Sequence, residues 1–117
     1  MSNDGAAPHA LPITTTFELP GCRVVESRGA CFGLIVRSMG IAKGVTSAFR
    51  SLRQGENPEY TQLLAESRNH AMDRLVENAQ ALGGNAIIGM RFDSAEVGDG
   101  LIEIVAYGTA VIVEAHS

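Results

Sequence analysis

The sequence predicts a small α+β domain that assembles with copies of itself, and three features lead to this prediction. Residues from Asn57 onwards have the periodicity of one long amphipathic helix, which stops at two glycines. An apolar strand follows those glycines directly. The last strand of the chain is apolar on both faces, so a single helix is too little to cover the sheet.

The composition fits one domain without a membrane segment. The chain has 117 residues and a formal net charge of −4, and this charge argues against general affinity for nucleic acid. No apolar run approaches the ~20 residues that span a bilayer, and no secretory signal pattern is present. We therefore expect no membrane partner, a cytoplasmic location and two cysteines that remain free thiols.

The first residues of the chain are small, polar and without periodicity. They predict a flexible N-terminal tail over residues 1–12, ahead of a single domain over residues 13–115. His9 belongs to this tail, and we expect its side chain to be solvated.

Strand-like segments open the domain. A short β-prone run over Ile13–Phe17 ends at a Pro-Gly pair. Cys22–Ser27 and Ala30–Arg37 also have strand character, and Gly29 lies between them. We expect Gly29 to form a bend, a bulge or a tight turn, since glycine inside a strand pattern weakens regular pairing.

The segment Ser27–Gly55 holds five basic residues and no acidic one, whereas the rest of the chain holds the other four basic and all 13 acidic residues. Three interpretations stay open: a solvated basic surface, electrostatic matching to the acidic part of a neighbouring copy, or an anion site. An anion site would use Lys43, Arg50 and Arg53. Residues 41–52 also have the spacing of a short amphipathic helix that packs across the domain or onto a neighbour.

The long helix is predicted over Pro58–Leu82. Asn57 can accept hydrogen bonds from the free backbone N–H groups of the first turn, and proline is well tolerated as the first helical residue. Gly83 is suited to the positive φ that commonly ends a helix. The apolar face, at steps of three, four or seven residues, consists of Tyr60, Leu64, Ala71, Leu75, Ala79 and Leu82, and is widened by Leu63, Met72 and Val76.

Two strands joined by a hairpin follow the helix. Asn85–Asp93 alternates in polarity and is predicted to be a strand with one buried face. Ala95–Gly100 is predicted to be the hairpin connection, with Asp99-Gly100 as its turn. The last strand is predicted over Leu101–Val113, and both its even and its odd positions are largely apolar. Because one helix covers only one face of a sheet, we expect a homo-oligomer with an extensive apolar interface.

The order of these features resembles a known family. The clearest parts are Ala81-Leu82-Gly83-Gly84-Asn85-Ala86-Ile87-Ile88-Gly89 and Tyr107-Gly108-Thr109-Ala110-Val111. Weaker parts are Val25-Glu26 followed by Gly29, Phe49-Arg50-Ser51-Leu52-Arg53, and Pro58-Glu59-Tyr60 at the start of the helix. In this order and at these spacings, the chain resembles the YbjQ-like family, small bacterial proteins that carry a heavy-metal-binding label. The resemblance covers roughly residues 15–113.

The resemblance implies a β-α-β-β subunit in which a helix and an antiparallel sheet form a two-layer α/β sandwich, similar to a dodecin subunit. It also implies a ring-shaped homo-oligomer, a pentamer, that binds a small ligand or a metal ion. The chain departs from the family's alternating acids in the strand after the helix. Arg91 stands at the first of these positions, Asp93 remains, and the last acid is displaced to Glu96.

The metal-ligand candidates are Cys31, Asp93 and Glu96, and the metal would be a divalent or a soft ion. The chain has no C-x-x-C pair, no H-E-x-x-H sequence and no calcium loop, so we do not expect a closed site within one chain. A site shared between subunits needs fewer ligands from each. Cys31 is the best soft ligand, although a buried free cysteine is the commoner case.

The sequence holds no convincing catalytic constellation. His9 and His116 lie near the chain ends, and His70 is expected to be an exposed helix residue beside Glu66 and Asp73. No nucleophile is therefore paired with a base by the sequence pattern. We expect a non-enzymatic, self-assembling protein that binds a small ligand or a metal ion. The alternative is a structural or protein-interaction module without a small ligand.

Overall fold

The computed structural model describes residues 9–38 and 58–116, with the side chains of residues 58–60 excepted. Its elements are strand β1 (Cys22–Ser38), helix α1 (Pro58–Ala81), strand β2 (Ala86–Gly98) and strand β3 (Leu101–Ala115). The sheet has the order β1-β3-β2, and both neighbouring pairs are antiparallel. The helix packs on one face of this sheet. The predicted α+β class, with a helix layer on an antiparallel sheet, is thus confirmed.

Helix α1 begins at the predicted residue and ends one residue before the predicted Leu82. Its C-terminus has a regular glycine cap, in which Gly83 has φ 88°, its N–H donates to Gln80 O, and the N–H of Gly84 donates to Ala79 O. The guanidinium of Arg28 donates to Leu82 O at 2.8 Å and so satisfies another free carbonyl. In the part of the chain described, no helix is long and apolar enough to cross a membrane.

Strand β1 is continuous, whereas the sequence predicted two segments. Its pairing with β3 shifts register between Val24 and Glu26 and again between Ser27 and Gly29. Gly29 has φ 102°, a conformation that glycine adopts without strain. Of the three structures considered for this glycine, the bulge is confirmed. A bulge bends a strand without ending it, so the two predicted segments pair with β3 as one strand.

The hairpin is tighter than predicted. Strand β2 continues to Gly98, and Ala95 still pairs with Glu103. Only the two residues Asp99 and Gly100 form the turn, and both have positive φ, 48° and 79°. The predicted connection over Ala95–Gly100 was therefore wrong in length. A two-residue turn with two positive φ values matches the twist of antiparallel strands, which lets pairing continue to the turn.

The segment before β1 lies along the outer edge of β2. Ile13 forms a single parallel bridge with Ile87, and the N–H of Ile87 donates to Pro12 O at 3.0 Å. The predicted solvation of His9 is wrong: its side chain is only 11% exposed, and its Nδ1 lies 3.1 Å from an oxygen of Asp73. Residues 9–12 therefore contact the domain, and Leu11 packs against the core. Residues 1–8 lie outside the described part of the chain.

The core lies between α1 and the sheet, and its closest contact is at Gly33. A Cβ atom placed on Gly33 would lie 2.0 Å from Ala71 O and 2.4 Å from Leu75 N. The backbone of the helix thus rests directly on the backbone of β1. The buried hydrophobic cluster consists of Cys31, Ile35, Ala71, Leu75, Val76, Ala79, Ile87, Met90, Ile102, Ile104, Ala106 and Ala110.

Candidate functional site

The structure places Cys31 on the sheet face that the helix covers, where the residue is fully buried. Its thiol donates to Gly108 O at 3.6 Å. Burial raises the pKa of the Cys31 thiol above its ordinary value of 9.0, because a thiolate would be desolvated there. Metal ions bind the thiolate, so this position disfavours the ligand form of the side chain.

The two candidate carboxylates lie on opposite faces of the sheet. Asp93 pairs with Val105, whereas Glu96 pairs with Ile102, whose side chain is buried under the helix. Cross-strand partners point to the same face, and three positions along a strand reverse the face. Both side chains are exposed.

Cys31 and Glu96 share the helix-covered face but are far apart. Cys31 pairs with Gly108, six residues along β3 from Ile102, the partner of Glu96. At ~3.3 Å per residue this separation is roughly 20 Å. Cys31, Asp93 and Glu96 therefore do not converge within one subunit. Among the described residues, no three His, Cys, Asp or Glu side chains form a group that could hold a metal ion.

The anion-site candidates Lys43, Arg50 and Arg53 lie outside the described residues, as does the helix predicted over residues 41–52. Two other members of the basic segment are described. Arg28 caps the helix, as above, and its Nη1 also donates to Glu26 at 2.6 Å. Arg37 lies near the end of β1 and contacts α1.

The face of the sheet opposite the helix is open, and it is largely apolar on β1 and β3. On β1 it presents Phe32, Leu34 and Val36, which are 56%, 43% and 54% exposed. Tyr107 of β3 is 38% exposed, and its ring is stacked on that of Phe32 with 6.5 Å between centroids. Val105 pairs with Leu34 and continues this surface. We call it the open face, defined by Phe32, Leu34, Val36, Leu101, Val105 and Tyr107.

On β3 the open face corresponds to odd positions, one of the two sets that the sequence showed to be largely apolar. Leu101 and Tyr107 are exposed, and Val105 is half-buried. Val111 is an exception, because it is buried within the subunit with 1% exposure. The apolar odd positions towards the hairpin end thus remain uncovered by the helix.

A polar groove of about 660 Å³ lies between the end of β1 and helix α1. Its polar lining includes Arg37, His70, Asp73, Arg74 and Glu77. The Nη2 of Arg37 lies 2.9 Å from the Nδ1 of His70. His70 is exposed, as predicted, but its hydrogen-bond partner is Arg37.

Sequence reasoning missed the pairing of Arg37 with His70. The two residues are 33 positions apart and lie on different elements. Two signals were available: Arg37 belongs to the basic segment, and His70 lies on the polar face of the helix. Neither signal shows that the end of β1 and this turn of α1 are neighbours. Their proximity depends on the position of the helix on the sheet, which the close contact at Gly33 fixes.

Comparison with known proteins gives a consistent family match. A family described as "Putative heavy-metal-binding" matches residues 11–114. A UPF0145 protein of Bradyrhizobium sp. (strain ORS 278) is 53% identical over 105 residues, which cover 90% of this chain and 95% of that protein. A UPF0145 protein of Methanoregula boonei is 50% identical over 102 residues, covering 87% of this chain and 85% of that one.

A solved structure shares the fold. It is a protein of unknown function from Pediococcus pentosaceus, assigned to the DUF74 family. The TM-score is 0.61, and the match covers 89% of this chain and 98% of that one. At 16% sequence identity, this similarity concerns the fold alone.

Proposed function

Because the chain belongs to the YbjQ-like family, which includes the UPF0145 proteins, we propose that it is a non-enzymatic module that assembles with copies of itself. This module would bind a small ligand or a metal ion. The observation that carries the proposal is the open face of the sheet. Five of its six side chains are 36% to 56% exposed, although the residues at the centre of the helix-covered face, such as Cys31, Ile104 and Ala106, are buried. Contiguous apolar surface of this kind marks an interaction site.

The dimensions of the open face suit a second copy of this chain. Three strands of about 15 residues, at ~3.3 Å per residue and ~4.8 Å between strands, present roughly 700 Å² on one face. A standard protein interface buries about 800 Å² on each partner. The whole sheet surface opposite the helix, on which the open face is the apolar part and Arg91, Asp93 and Glu103 are polar, is thus large enough to form most of a stable interface.

We propose a closed ring of five subunits, a number that comes from the family resemblance. A ring requires each subunit to use two different surfaces, so the open face would contact another part of the neighbouring subunit. Two open faces packed against each other would instead give a two-fold dimer. Native mass spectrometry separates these cases, because the masses are five times and two times 12.3 kDa.

Assembly also determines what metal binding requires. Since Cys31, Asp93 and Glu96 do not converge in one subunit, any metal site built from them needs ligands from neighbouring subunits. Asp93 shares the face of Val105 and would lie at a boundary formed by the open face. We expect a metal adduct that chelation removes and that the substitution Asp93→Asn weakens. Complete assembly without any adduct or bound small molecule would favour the structural or interaction module.

The absence of catalysis is part of the proposal. The thiol of Cys31 bonds a backbone carbonyl rather than a base, and its raised pKa lowers the fraction of nucleophilic thiolate. This environment suits a structural thiol.

The substitution Phe32→Lys tests the proposed interface. Lysine at the centre of the open face would bring an unpaired charge into a desolvated contact, so the mass of the assembly should fall to that of the subunit. Val25→Lys is the matched control, because Val25 is also an exposed apolar residue of β1, 42% exposed, but lies seven residues from Phe32, roughly 20 Å along the strand and away from the open face. Both variants are checked for folding by circular dichroism. If Phe32→Lys folds and keeps the wild-type mass, the open face is not the interface.

A further inference from the structure

We propose that the groove between the end of β1 and helix α1 binds an oxyanion, the phosphate or carboxylate group of a small molecule, through Arg37 and His70. This inference rests on the proposed binding role and names a ligand class and a site for it. It does not depend on how many subunits assemble. The site uses described residues only and is separate from the metal-ligand candidates.

The Arg37–His70 contact fixes which nitrogen of His70 carries the proton. A guanidinium is always a donor, so the Nδ1 of His70 must accept at 2.9 Å. In the neutral imidazole the proton then lies on Nε2, which becomes a donor. Arg37 keeps further N–H groups beyond the one that His70 accepts. Two adjacent side chains therefore present donors, and only one of them carries a full charge.

The two arginines that line the groove do not pair with its two carboxylates. Of the ion pairs within the described residues, none includes Arg37 or Arg74. The guanidinium of Arg74 donates to Leu34 O at 2.8 Å, a neutral partner that leaves its charge in place. The carboxylate of Asp73 is engaged by His9 at 3.1 Å.

Glu77 is the other carboxylate that lines the groove. It lies seven residues after His70 on the helix, about 10 Å along the axis. The two arginines and the two carboxylates of the groove balance in formal charge, but neither carboxylate pairs with Arg37. An oxyanion bound at this end of the groove would therefore accept charge-assisted hydrogen bonds from the planar guanidinium of Arg37. The volume of about 660 Å³ lies within the range of small-molecule sites.

The test is a titration of the assembled, isotope-labelled protein with inorganic phosphate, and separately with acetate, at constant ionic strength. We expect saturable NMR shifts of the Arg37 side chain and the His70 ring. Arg37→Gln and His70→Ala should each weaken binding by about fivefold or more. Arg23→Gln is the control, because Arg23 also lies on β1 but is 63% exposed and paired with Glu114 at 2.7 Å. Arg37→Lys, which keeps the charge and loses the planar donor pair, should weaken binding less than Arg37→Gln.

The two anions distinguish the source of the ligand group. Stronger binding of phosphate points to a phosphorylated ligand, and stronger binding of acetate points to a carboxylate. No saturable shift with either anion at concentrations up to about 20 mM overturns the inference. Equal weakening by Arg23→Gln and Arg37→Gln also overturns it. The mass of the assembly is measured in the same samples, so a failed anion site is distinguishable from failed assembly.

Discussion

The two faces of the sheet use the same strands but different side chains. On β1 the helix-covered side carries Cys31, Gly33 and Ile35, and the open side carries Phe32, Leu34 and Val36. Both series are apolar apart from glycine, so hydrophobicity does not separate them. Size does: on the covered side the central residue is a glycine, and on the open side it is a leucine.

This difference in side-chain size explains how a single helix packs so closely on one face of the sheet. Because Gly33 has no side chain, the backbone of α1 approaches to a distance that a Cβ atom would forbid. Ala106 and Ala110 of β3 are fully buried on the same side, where small residues keep the layer thin. The open face has no such small residues at its centre and therefore presents protruding rings and branched chains, which suit a partner surface.

The largest effect should come from adding one methyl group to the covered face. In the Gly33→Ala variant the new Cβ would overlap backbone atoms of Ala71 and Leu75, which cannot move without displacing the helix. We expect a loss of about 3 kcal/mol or more in the free energy of unfolding, or failure to fold. Urea denaturation measures it. Ala30→Ser on the exposed part of β1 is the control and should change stability by less than about 0.5 kcal/mol.

A second comparison truncates one leucine on each side. Leu75 is fully buried, so Leu75→Ala should lower the free energy of unfolding by about 2–5 kcal/mol at every protein concentration. Leu34 is 43% exposed, so Leu34→Ala should cost the folded subunit less than about 1 kcal/mol. If the open face is an interface, the decrease in the free energy of unfolding caused by Leu34→Ala becomes larger as the protein concentration rises. Equal, concentration-independent losses would contradict the contrast between the two faces.

A smaller effect distinguishes the two thiols. Cys31 is fully buried, whereas Cys22 is half-buried at the start of β1. We expect one alkylation per folded chain at pH 8, at Cys22, and a second only after denaturation. Peptide mapping of the alkylated protein measures this. Alkylation of Cys31 at the same rate as Cys22 would show that the covered face opens readily.

The Cys31 thiol also predicts a pH dependence. Its pKa is raised in the folded chain by burial, so the unfolded chain releases this proton first as pH rises. The stability that the Cys31 thiol contributes to the folded chain is fully present below the ordinary thiol pKa of 9.0 and is lost as pH rises through the higher folded-state pKa. The free energy of unfolding should therefore fall above about pH 9, and Cys31→Ala should reduce that slope. If the free energy of unfolding of Cys31→Ala falls with pH as steeply as that of the wild type, the pH dependence arises from other groups.

The elements were largely predictable because they follow local rules. Helical periodicity, the proline at Pro58 and the glycine cap at Gly83 gave the bounds of α1 to within one residue. Alternation and the Asp99-Gly100 turn gave the β2–β3 hairpin, although not its tightness. The two apolar faces of β3 are also visible in the sequence, and the structure leaves one of them uncovered by the helix.

The contacts between distant residues were not predictable in this way. Nothing in the pattern around His9 shows that Asp73 is its neighbour, and nothing around Arg37 shows that His70 is. The same limit applies to the metal-ligand candidates. Their residue types suit a cation, but only the register of β2 on β3 places Asp93 and Glu96 on opposite faces.

The sequence by itself thus determined which segments are helix or strand and which of their residues are apolar, because these properties depend on neighbours two to four positions away. Only the tertiary structure decided which apolar face the helix covers. That choice depends on backbone proximity at Gly33, where the absence of one Cβ atom lets α1 settle on one side of β1 and leaves the other side open.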